Sequence, residues 1–131
     1  MSDRAERAHE HREAQRRRRE QESAKAQVLI DGFVEEARRT GIPTEELTAR
    51  PWTGGQRYRT GIVGWYLRND RSVGVGADGR YYELVVPPMR LGRWRTIRAE
   101  PAPPPLQVGE GARDGESIAL ADLLAIRLER R

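Results

Sequence analysis

The spacing of hydrophobic positions along this chain changes near Ser23, and the change separates two kinds of segment. Residues 2–22 contain no Val, Ile, Leu or aromatic residue but are rich in Ala, Glu, Gln and Arg, which favour helix. After Ser23, apolar residues follow the i, i+3, i+4, i+7 spacing of one helix face, at Ala26, Leu29, Ile30, Phe33, Val34 and Ala37. We predict one domain over residues 23–131. The charged extension at residues 1–22 is either a solvated helix or disordered.

The end of this helix is indicated by a glycine and a proline. Gly41 can adopt the left-handed conformation of a Schellman ending, with Ile42 folding back towards Ala37. Pro43 then prevents the helix from continuing. Thr44 is a candidate cap for a short turn over residues 45–49.

Alternating apolar residues and two turn signals predict three antiparallel strands within residues 64–86. A two-residue turn at residues 78–79, where Asp and Gly tolerate positive φ, pairs Val75 with Tyr82. One face of the sheet then carries Val73, Val75, Tyr82, Leu84 and Val86. A three-residue loop over residues 69–71 extends that apolar face with Val63, Trp65 and Leu67.

This three-residue loop is preferred to a two-residue loop for a reason of register. It pairs Trp65 with Val75, whereas the shorter loop would bury Gly64 and Arg68. The weakness of the prediction is that Arg71 then has to adopt a left-handed conformation without being glycine.

The rest of the chain predicts a connection, a short strand and a final helix. The Pro-rich connection at residues 101–105 is typical of polyproline II, and residues 106–108 are a candidate edge strand. Ser117 is a candidate N-cap. The helix after it has an apolar stripe formed by Leu120, Leu123, Leu124 and Leu128.

Together these elements predict an α+β fold. A long N-terminal helix and a C-terminal helix pack on one face of an antiparallel meander of three strands, or four with the edge strand. The reason is that an amphipathic helix and a one-sided sheet each need a partner surface. The expected core consists of Trp65, Leu67, Val73, Val75, Leu84, Leu29, Phe33, Leu120 and Leu124.

Composition limits the location and the chemistry. None of the 131 residues is cysteine, which excludes disulfides and thiolate metal ligands and fits a reducing cytoplasm. The N-terminal residues lack the apolar segment of a signal peptide, and no run approaches the about 18 apolar residues of a membrane helix. We therefore expect a cytoplasmic protein without membrane contact. No motif indicates a cofactor or a catalytic site.

The charge of the chain is modest although arginine is abundant. Lysine and arginine total 24 against 20 acidic residues, which gives a formal charge of +4, and Lys25 is the single lysine. This bias is typical of a GC-rich genome, so the number of arginines is weak evidence for a polyanionic partner. His9 and His11, the two histidines, do not share a helix face, so we predict no metal site.

A run of four arginines lies in the charged extension, at Arg16, Arg17, Arg18 and Arg19. Displayed on a helix, the run could contact a partner or a polyanion. The other interpretation is a solvated charged helix, because residues 1–25 hold eight basic and six acidic groups.

The face of the sheet opposite the apolar one is a possible binding face. In the predicted register it carries Tyr66, Tyr81, Gly74, Gly76, Arg68 and Glu83. The glycines leave space between two aromatic rings, where a base or a side chain could stack, and Glu83 is a carboxylate near that space. The alternative is that the tyrosines only shield the backbone of the glycine residues.

Arginines and aromatic residues also interleave in two segments. Trp94 is surrounded by Arg90, Arg93, Arg95 and Arg98, and Tyr58 is flanked by Arg57 and Arg59. Such a pattern can bind nucleic acid, with arginine on phosphate and the rings on bases. The other interpretation is a solvated loop in which Trp94 fills a gap in the core.

The phrases RYRTGIVGWYLR, DRSVGVGADGRYYEL and GARDGESIALADLL resemble small hypothetical proteins of high-GC Gram-positive bacteria. The resemblance covers about residues 25–131. It implies one coherent fold and a codon-bias origin for the arginines. No activity is known to us for that group, so the resemblance implies no site.

Three classes of function follow from these patterns. The leading hypothesis is a non-enzymatic accessory or interaction protein, whose N-terminal helix contacts a protein partner or forms a coiled coil in a homo-oligomer. The second is nucleic-acid binding through the arginines and aromatic residues. The third is a small-ligand binder or enzyme at the glycine-rich sheet face.

Overall fold

The computed structural model describes residues 2–109 and 116–130 and confirms the α+β class. Two helices and seven strands make up its regular structure, together with a 3₁₀ turn at Gly92–Trp94. The helices are α1, Ser2–Thr40, and α2, Leu120–Glu129. The strands are β1 Glu45–Pro51, β2 Tyr58–Tyr66, β3 Val73–Gly76, β4 Tyr81–Glu83, β5 Val85–Val86, β6 Gln107–Val108 and β7 Ile118–Ala119.

Helix α1 is continuous through the change of pattern at Ser23 and ends as the sequence predicts. Gly41 has a φ of 75°. Its N–H donates to the carbonyl of Arg38 at 3.2 Å, and the N–H of Ile42 donates to the carbonyl of Ala37 at 2.9 Å. These two bonds are those of a Schellman motif. They satisfy carbonyls that the end of a helix otherwise leaves unpaired.

The turn predicted over residues 45–49 is wrong, because this segment is strand β1. Its buried residues Leu47, Ala49 and Pro51 alternate with more exposed ones, which is the period of a strand rather than of a helical turn. β1 pairs antiparallel with β2, with a bulge after Leu47. β1 therefore adds a strand to the predicted meander, and the sequence analysis had not assigned this strand.

The register between β2 and β3 is confirmed. Trp65 lies opposite Val75, and the loop over residues 69–71 has three residues. Arg71 adopts the left-handed conformation that this register requires, with a φ of 59°. Its guanidinium lies 5.9 Å from the centre of the Tyr66 ring.

The register between β3 and β4 is wrong by one residue. The turn contains three residues, 77–79, because the N–H of Gly76 donates to the carbonyl of Arg80 at 2.9 Å. A two-residue type I′ turn needs positive φ at both Asp78 and Gly79, but only Gly79 has it. Tyr81 therefore lies opposite Val75. This shift turns Tyr82 and Leu84 away from the face that the helices cover.

The sheet curls until its two edges meet. The strand order is β4-β3-β2-β1-β5, with β5 parallel to β1. β4 and β5 lie at opposite edges although only Leu84 separates them in the chain. Leu84 connects the two edge strands in the chain, and its backbone also bonds to both sides of the closure. Its N–H donates to the carbonyl of Ser72, next to β3, and its carbonyl accepts the N–H of Arg50 in β1.

This curled sheet separates two hydrophobic clusters. Both helices pack on one face, as predicted, and the cluster there includes Ala26, Ile30, Phe33, Ala37, Trp65, Leu67, Val73, Val75, Tyr81, Leu120, Leu123 and Leu124. The cluster inside the curl contains Leu47, Ala49, Tyr58, Tyr66, Tyr82, Leu84 and Ile97. Leu84 thus belongs to the second cluster. Leu29 was expected in the core but is 38% exposed, because it lies on the flank of the helix stripe.

The C-terminal region differs in two places from the prediction. The candidate edge strand is β6, but it pairs with β7 in a separate hairpin and does not extend the sheet. Ser117 is not the N-cap: it precedes β7, and α2 begins at Leu120, whose N–H donates to the carbonyl of Leu106 at 2.8 Å. The Pro-rich connection runs beside β4, where the N–H of Ala102 donates to the backbone carbonyl of Tyr81.

Within the described ranges, neither helix has the length and hydrophobicity needed to cross a membrane.

Candidate functional site

The predicted binding face of the sheet is divided by the observed register. Tyr66 is 8% exposed, and its hydroxyl accepts the N–H of Thr48 at 2.8 Å. A Cβ placed on Gly74 would meet the side chains of Leu47 and Leu84 at 3.1 and 3.2 Å. The space beside the glycines is therefore filled by the second cluster. Gly76 lies on this side too, near the Tyr82 ring.

The other three residues of that predicted face lie elsewhere. Tyr81, Arg68 and Glu83 line a groove between the sheet edge and α1. The structure thus brings these three together and separates them from Tyr66, Gly74 and Gly76. Tyr66 and Tyr81 therefore do not flank the glycines on one open face, and the possible stacking site between their rings is not formed.

The four-arginine run lies on α1, and Arg16, Arg17, Arg18 and Arg19 are all exposed. Successive residues of a helix are rotated by about 100°, so the four guanidinium groups surround the helix instead of forming one face. Arg16 lies 2.5 Å from Glu13 and 3.9 Å from Glu20. Such exposed pairs stabilise a helix by only tenths of a kcal/mol.

A second groove lies at the end of the curled sheet, between residues 51–56 and residues 89–94. We call it the tryptophan groove. It encloses about 360 Å³. Its lining includes Gly54, Gly55, Tyr58, Met89, Leu91, Gly92, Arg93 and Trp94.

Tyr58 holds one wall of the tryptophan groove in place. The ring lies so close to Gly92 that a Cβ there would be 2.7 Å from Cε1 of Tyr58. The hydroxyl of Tyr58 accepts the N–H of Met89 at 3.1 Å. The 3₁₀ turn at Gly92–Trp94 is therefore seated on a buried aromatic ring, which fixes the wall before any ligand binds.

The rim of the tryptophan groove exposes large apolar side chains. Of the lining residues, Trp94 is 72% exposed and Leu91 is 60% exposed. Trp52, which lies in the chain between the lining residues Pro51 and Thr53, is 66% exposed. The expectation that Trp94 fills a gap in the core is therefore wrong. Leu91 also has a φ of 61°, a left-handed conformation that costs an ordinary residue about 1–2 kcal/mol. Strained, exposed apolar residues are often found at binding sites.

The positively charged side chain of Arg93 lies over one face of the Trp94 ring. The guanidinium carbon of Arg93 lies 4.9 Å from the centre of the Trp94 ring, within the range of a cation–π interaction. This contact orients the ring and leaves much of its surface open to solvent. A flat aromatic ligand could stack there.

The segments that form this groove are basic and contain no carboxylate. Residues 51–59 and 87–98 include six arginines and neither Asp nor Glu, although 20 of the 131 residues of the chain are acidic. A codon bias towards arginine would raise the number of arginines but would not remove acidic residues from these two segments. The electrostatic potential here therefore favours an anionic partner.

The six arginines have different roles in the structure. Arg57 is half-buried, its guanidinium donates to the Thr48 hydroxyl at 2.6 Å, and partial burial lowers its pKa. Arg59 and Arg98 form exposed ion pairs with acidic residues outside these two segments. The remaining three, Arg90, Arg93 and Arg95, are exposed and form no ion pair with any described residue.

Sequence reasoning found Trp94 but missed Trp52 and Leu91. Trp52 lies in the stretch Pro-Trp-Thr-Gly-Gly, and an aromatic residue in a glycine-containing turn is a usable signal for exposure. Leu91 has no such signal. Its left-handed conformation directly precedes Gly92, the glycine packed on Tyr58.

In the two described ranges, no group of three or more His, Asp or Glu side chains is placed to hold a metal ion. No protein-family model, curated protein or solved structure matches the chain.

Proposed function

We propose that this protein binds single-stranded nucleic acid in the tryptophan groove. The observation that carries the proposal is the combination of an open, arginine-supported Trp94 ring with a wall that contains no carboxylate. Bases stack on aromatic rings whatever their sequence, because every base has a π face. Arg90 and Arg95 are exposed in the same segment, and under this proposal their guanidinium groups contact the phosphates.

The shape of the groove favours a single strand over a duplex. Bases in a duplex are already stacked on one another, so a protein ring reaches them only where they are unpaired. The tryptophan groove is small, about 360 Å³, so under this proposal it holds only a short stretch of the strand. The proposal therefore predicts little sequence preference and a strong dependence on salt.

Replacing Trp94 with alanine tests this proposal. Stacking of one base contributes about 1–3 kcal/mol, so W94A should weaken binding to a fluorescent oligonucleotide by about 5- to 150-fold. The melting temperature should not change, because the side chain is 72% exposed. Fluorescence anisotropy with single-stranded DNA and RNA measures the affinity.

The control is V28A, which removes a side chain that is 70% exposed on α1, away from the groove. This variant should bind like the wild type.

The salt dependence of binding is a second test. With wild-type protein, log K should fall with log salt concentration, with a slope of about 0.7 for each neutralised phosphate of a single strand. Equal affinity of W94A and wild type, or binding that does not depend on salt, would contradict the proposal.

A second proposal concerns α1, which we infer to be a contact for a protein partner or for a second copy of the chain. Its first 20 residues form an extension of about 30 Å that is mostly exposed. A helix that packs little against the rest of its own chain offers an exposed surface to which a partner can bind. The continuity of α1 to Ser2 favours this function.

Deleting residues 2–18 tests the helix separately from the groove. The deletion should abolish recovery of a partner in a pull-down, or of dimers in sedimentation, while oligonucleotide affinity is kept. It stops before Glu22, whose carboxylate accepts the N–H of Leu106 at 3.3 Å. The melting temperature should stay almost unchanged, because the packed face of α1 begins at Ala26. Equal recovery by both forms would end this second proposal.

A further inference from the structure

The groove that contains Tyr81 has features of a binding site independent of the tryptophan groove. It lies between α1, the edge of the sheet and the β6–β7 hairpin, and it encloses about 620 Å³. We call it the tyrosine groove. Its polar lining includes Tyr81, Glu83 and Glu22, and its apolar lining includes Val73, Val85 and Val108.

Tyr81 is a buried residue with an unused polar atom. It is 2% exposed, yet its hydroxyl makes no hydrogen bond with any described residue. All fully buried side-chain nitrogen and oxygen atoms in the described ranges have a partner. The hydroxyl must therefore be the part of the ring that reaches open space, and the tyrosine groove is the space that Tyr81 lines.

The hydroxyl stays protonated under ordinary conditions. Burial raises the pKa of Tyr81 above its usual value, the negative charge of Glu83 raises it further, and the positive charge of Arg68 lowers it only in part. The group is therefore a neutral donor and acceptor near Glu83. An unpaired hydroxyl in such a place can accept a hydrogen bond from a ligand as readily as it donates one.

The charges around the tyrosine groove are mainly negative. Arg68 is its one cation among the described lining residues, and its guanidinium lies 3.8 Å from Asp70, which also lines the groove. These two charges offset each other. The carboxylates of Glu22, Glu83 and Glu116 also line the groove. Of these, Glu83 is exposed and forms no ion pair with a described residue. The field of the groove thus favours a cation.

The apolar walls add a requirement for the rest of the ligand. The valines of the lining and Pro105 offer contact to an alkyl chain, and burial of each CH₂ contributes about 0.8 kcal/mol. The polar groups of the groove would then contact one positively charged end of the ligand. An ammonium group has three donors and no acceptor, which matches two carboxylates and a tyrosine hydroxyl.

We propose that the tyrosine groove binds a small organic cation, a primary ammonium group on a short alkyl chain. The hydroxyl of Tyr81 and the carboxylate of Glu83 accept hydrogen bonds from the ammonium group, and the alkyl chain packs on the valines. Neither Trp94 nor any arginine of the tryptophan groove takes part. This inference does not depend on the proposed binding of nucleic acid.

Titration of the full-length protein with alkylamines tests the site. Hexylamine and 1,5-diaminopentane should shift the methyl NMR signals of Val73, Val85 and Val108. Hexanoate and hexanol have the same chain but carry a negative charge or no charge, and they should not bind. If either binds as tightly as hexylamine, the proposal is overturned.

Two variants assign the contacts. Y81F keeps the packed ring and removes only the hydroxyl, and E83Q changes an exposed charge, so both should fold. Each should weaken hexylamine binding by about tenfold, as expected for a hydrogen bond to a charged group. D122N is the matched control, because Asp122 is an exposed carboxylate on α2 outside the groove, and it should bind like the wild type.

Two outcomes would overturn the assignment. Unchanged affinity in both Y81F and E83Q would show that the amine binds elsewhere. A peptide with one lysine that binds at least about tenfold more tightly than hexylamine would identify the natural occupant as a side chain of a protein partner.

Discussion

Gly92 shows at the scale of one residue how the tryptophan groove depends on a close contact. Its Cα lies against the ring of Tyr58, with no room for a Cβ. Leu91, next to it, is held in a left-handed conformation, and the turn that follows positions Trp94. The orientation of the exposed ring therefore depends on a residue that has no side chain.

We predict that G92A weakens oligonucleotide binding. The added methyl group would lie 2.7 Å from Cε1 of Tyr58, so the 89–94 segment has to move away from the ring. The affinity should fall by at least about fivefold, with a loss of stability of about 1–3 kcal/mol from overpacking. Anisotropy titration and urea unfolding measure the two effects.

The matched control is G32A, a glycine-to-alanine change on α1. Nothing lies within 4 Å of a Cβ at Gly32, and alanine is the better helix former, so this variant should be more stable by about 0.5–1 kcal/mol. Its oligonucleotide affinity should not change. If G92A bound like G32A, the wall of the groove would not need the contact with Tyr58.

At the scale of one element, the loop between β2 and β3 combines backbone strain with a charged network. Arg71 has positive φ, and the carboxylate of Asp70 accepts the N–H of Ser72 at 3.0 Å and its hydroxyl at 2.6 Å. Burial alone would raise the pKa of Asp70. The bonds from Ser72 and the charge of Arg68 outweigh burial, so its pKa is lowered from 3.8.

This lowered pKa predicts how stability depends on pH. A carboxylate with a lower pKa in the folded state than in the unfolded state stabilises the fold at neutral pH, and this contribution disappears as the pH falls through the folded pKa. D70N should therefore be less stable than wild type at pH 7, and the difference should shrink below about pH 4. Urea unfolding at several pH values measures it. A difference that is constant from neutral to acidic pH would show that charge is not the cause.

At the scale of the whole molecule, closure of the sheet depends on Leu84. This residue is 0% exposed and connects the two edge strands β4 and β5 in the chain. Its backbone bonds to Ser72 and to Arg50 of β1, and its side chain packs in the cluster inside the curl. The helices stabilise only the other face. The molecule thus has two clusters that share one layer of strands.

We predict that L84A is much less stable than the wild type, by about 2–5 kcal/mol, as is usual for a large-to-small change in a core. L29A is the matched control, because Leu29 is 38% exposed, and its loss should be below about 1 kcal/mol. Urea unfolding compares the two. Similar losses in both variants would mean that the inner cluster contributes little to the fold.

The features of the fold and the groove that were predictable from sequence are those formed by residues close together in the chain. The Schellman ending at Gly41 and the pairing of Trp65 with Val75 follow from neighbouring residues and one short loop, and both were predicted. The β3–β4 register failed because Asp78 does not take positive φ. The resulting one-residue shift moves Tyr81 and Glu83 to the opposite face, so these two members of the predicted binding face were placed wrongly.

The sequence by itself determined the α+β class, the two helices, their apolar stripes and the approximate positions of β2 to β4, because local conformational preference and periodicity specify these. Only the tertiary structure decided that the sheet closes at Leu84, that Trp94 faces solvent, and that Tyr81 reaches a groove beside α1. These features join residues far apart in the chain. No local pattern encodes which of them meet, since that depends on how strands and helices pack together.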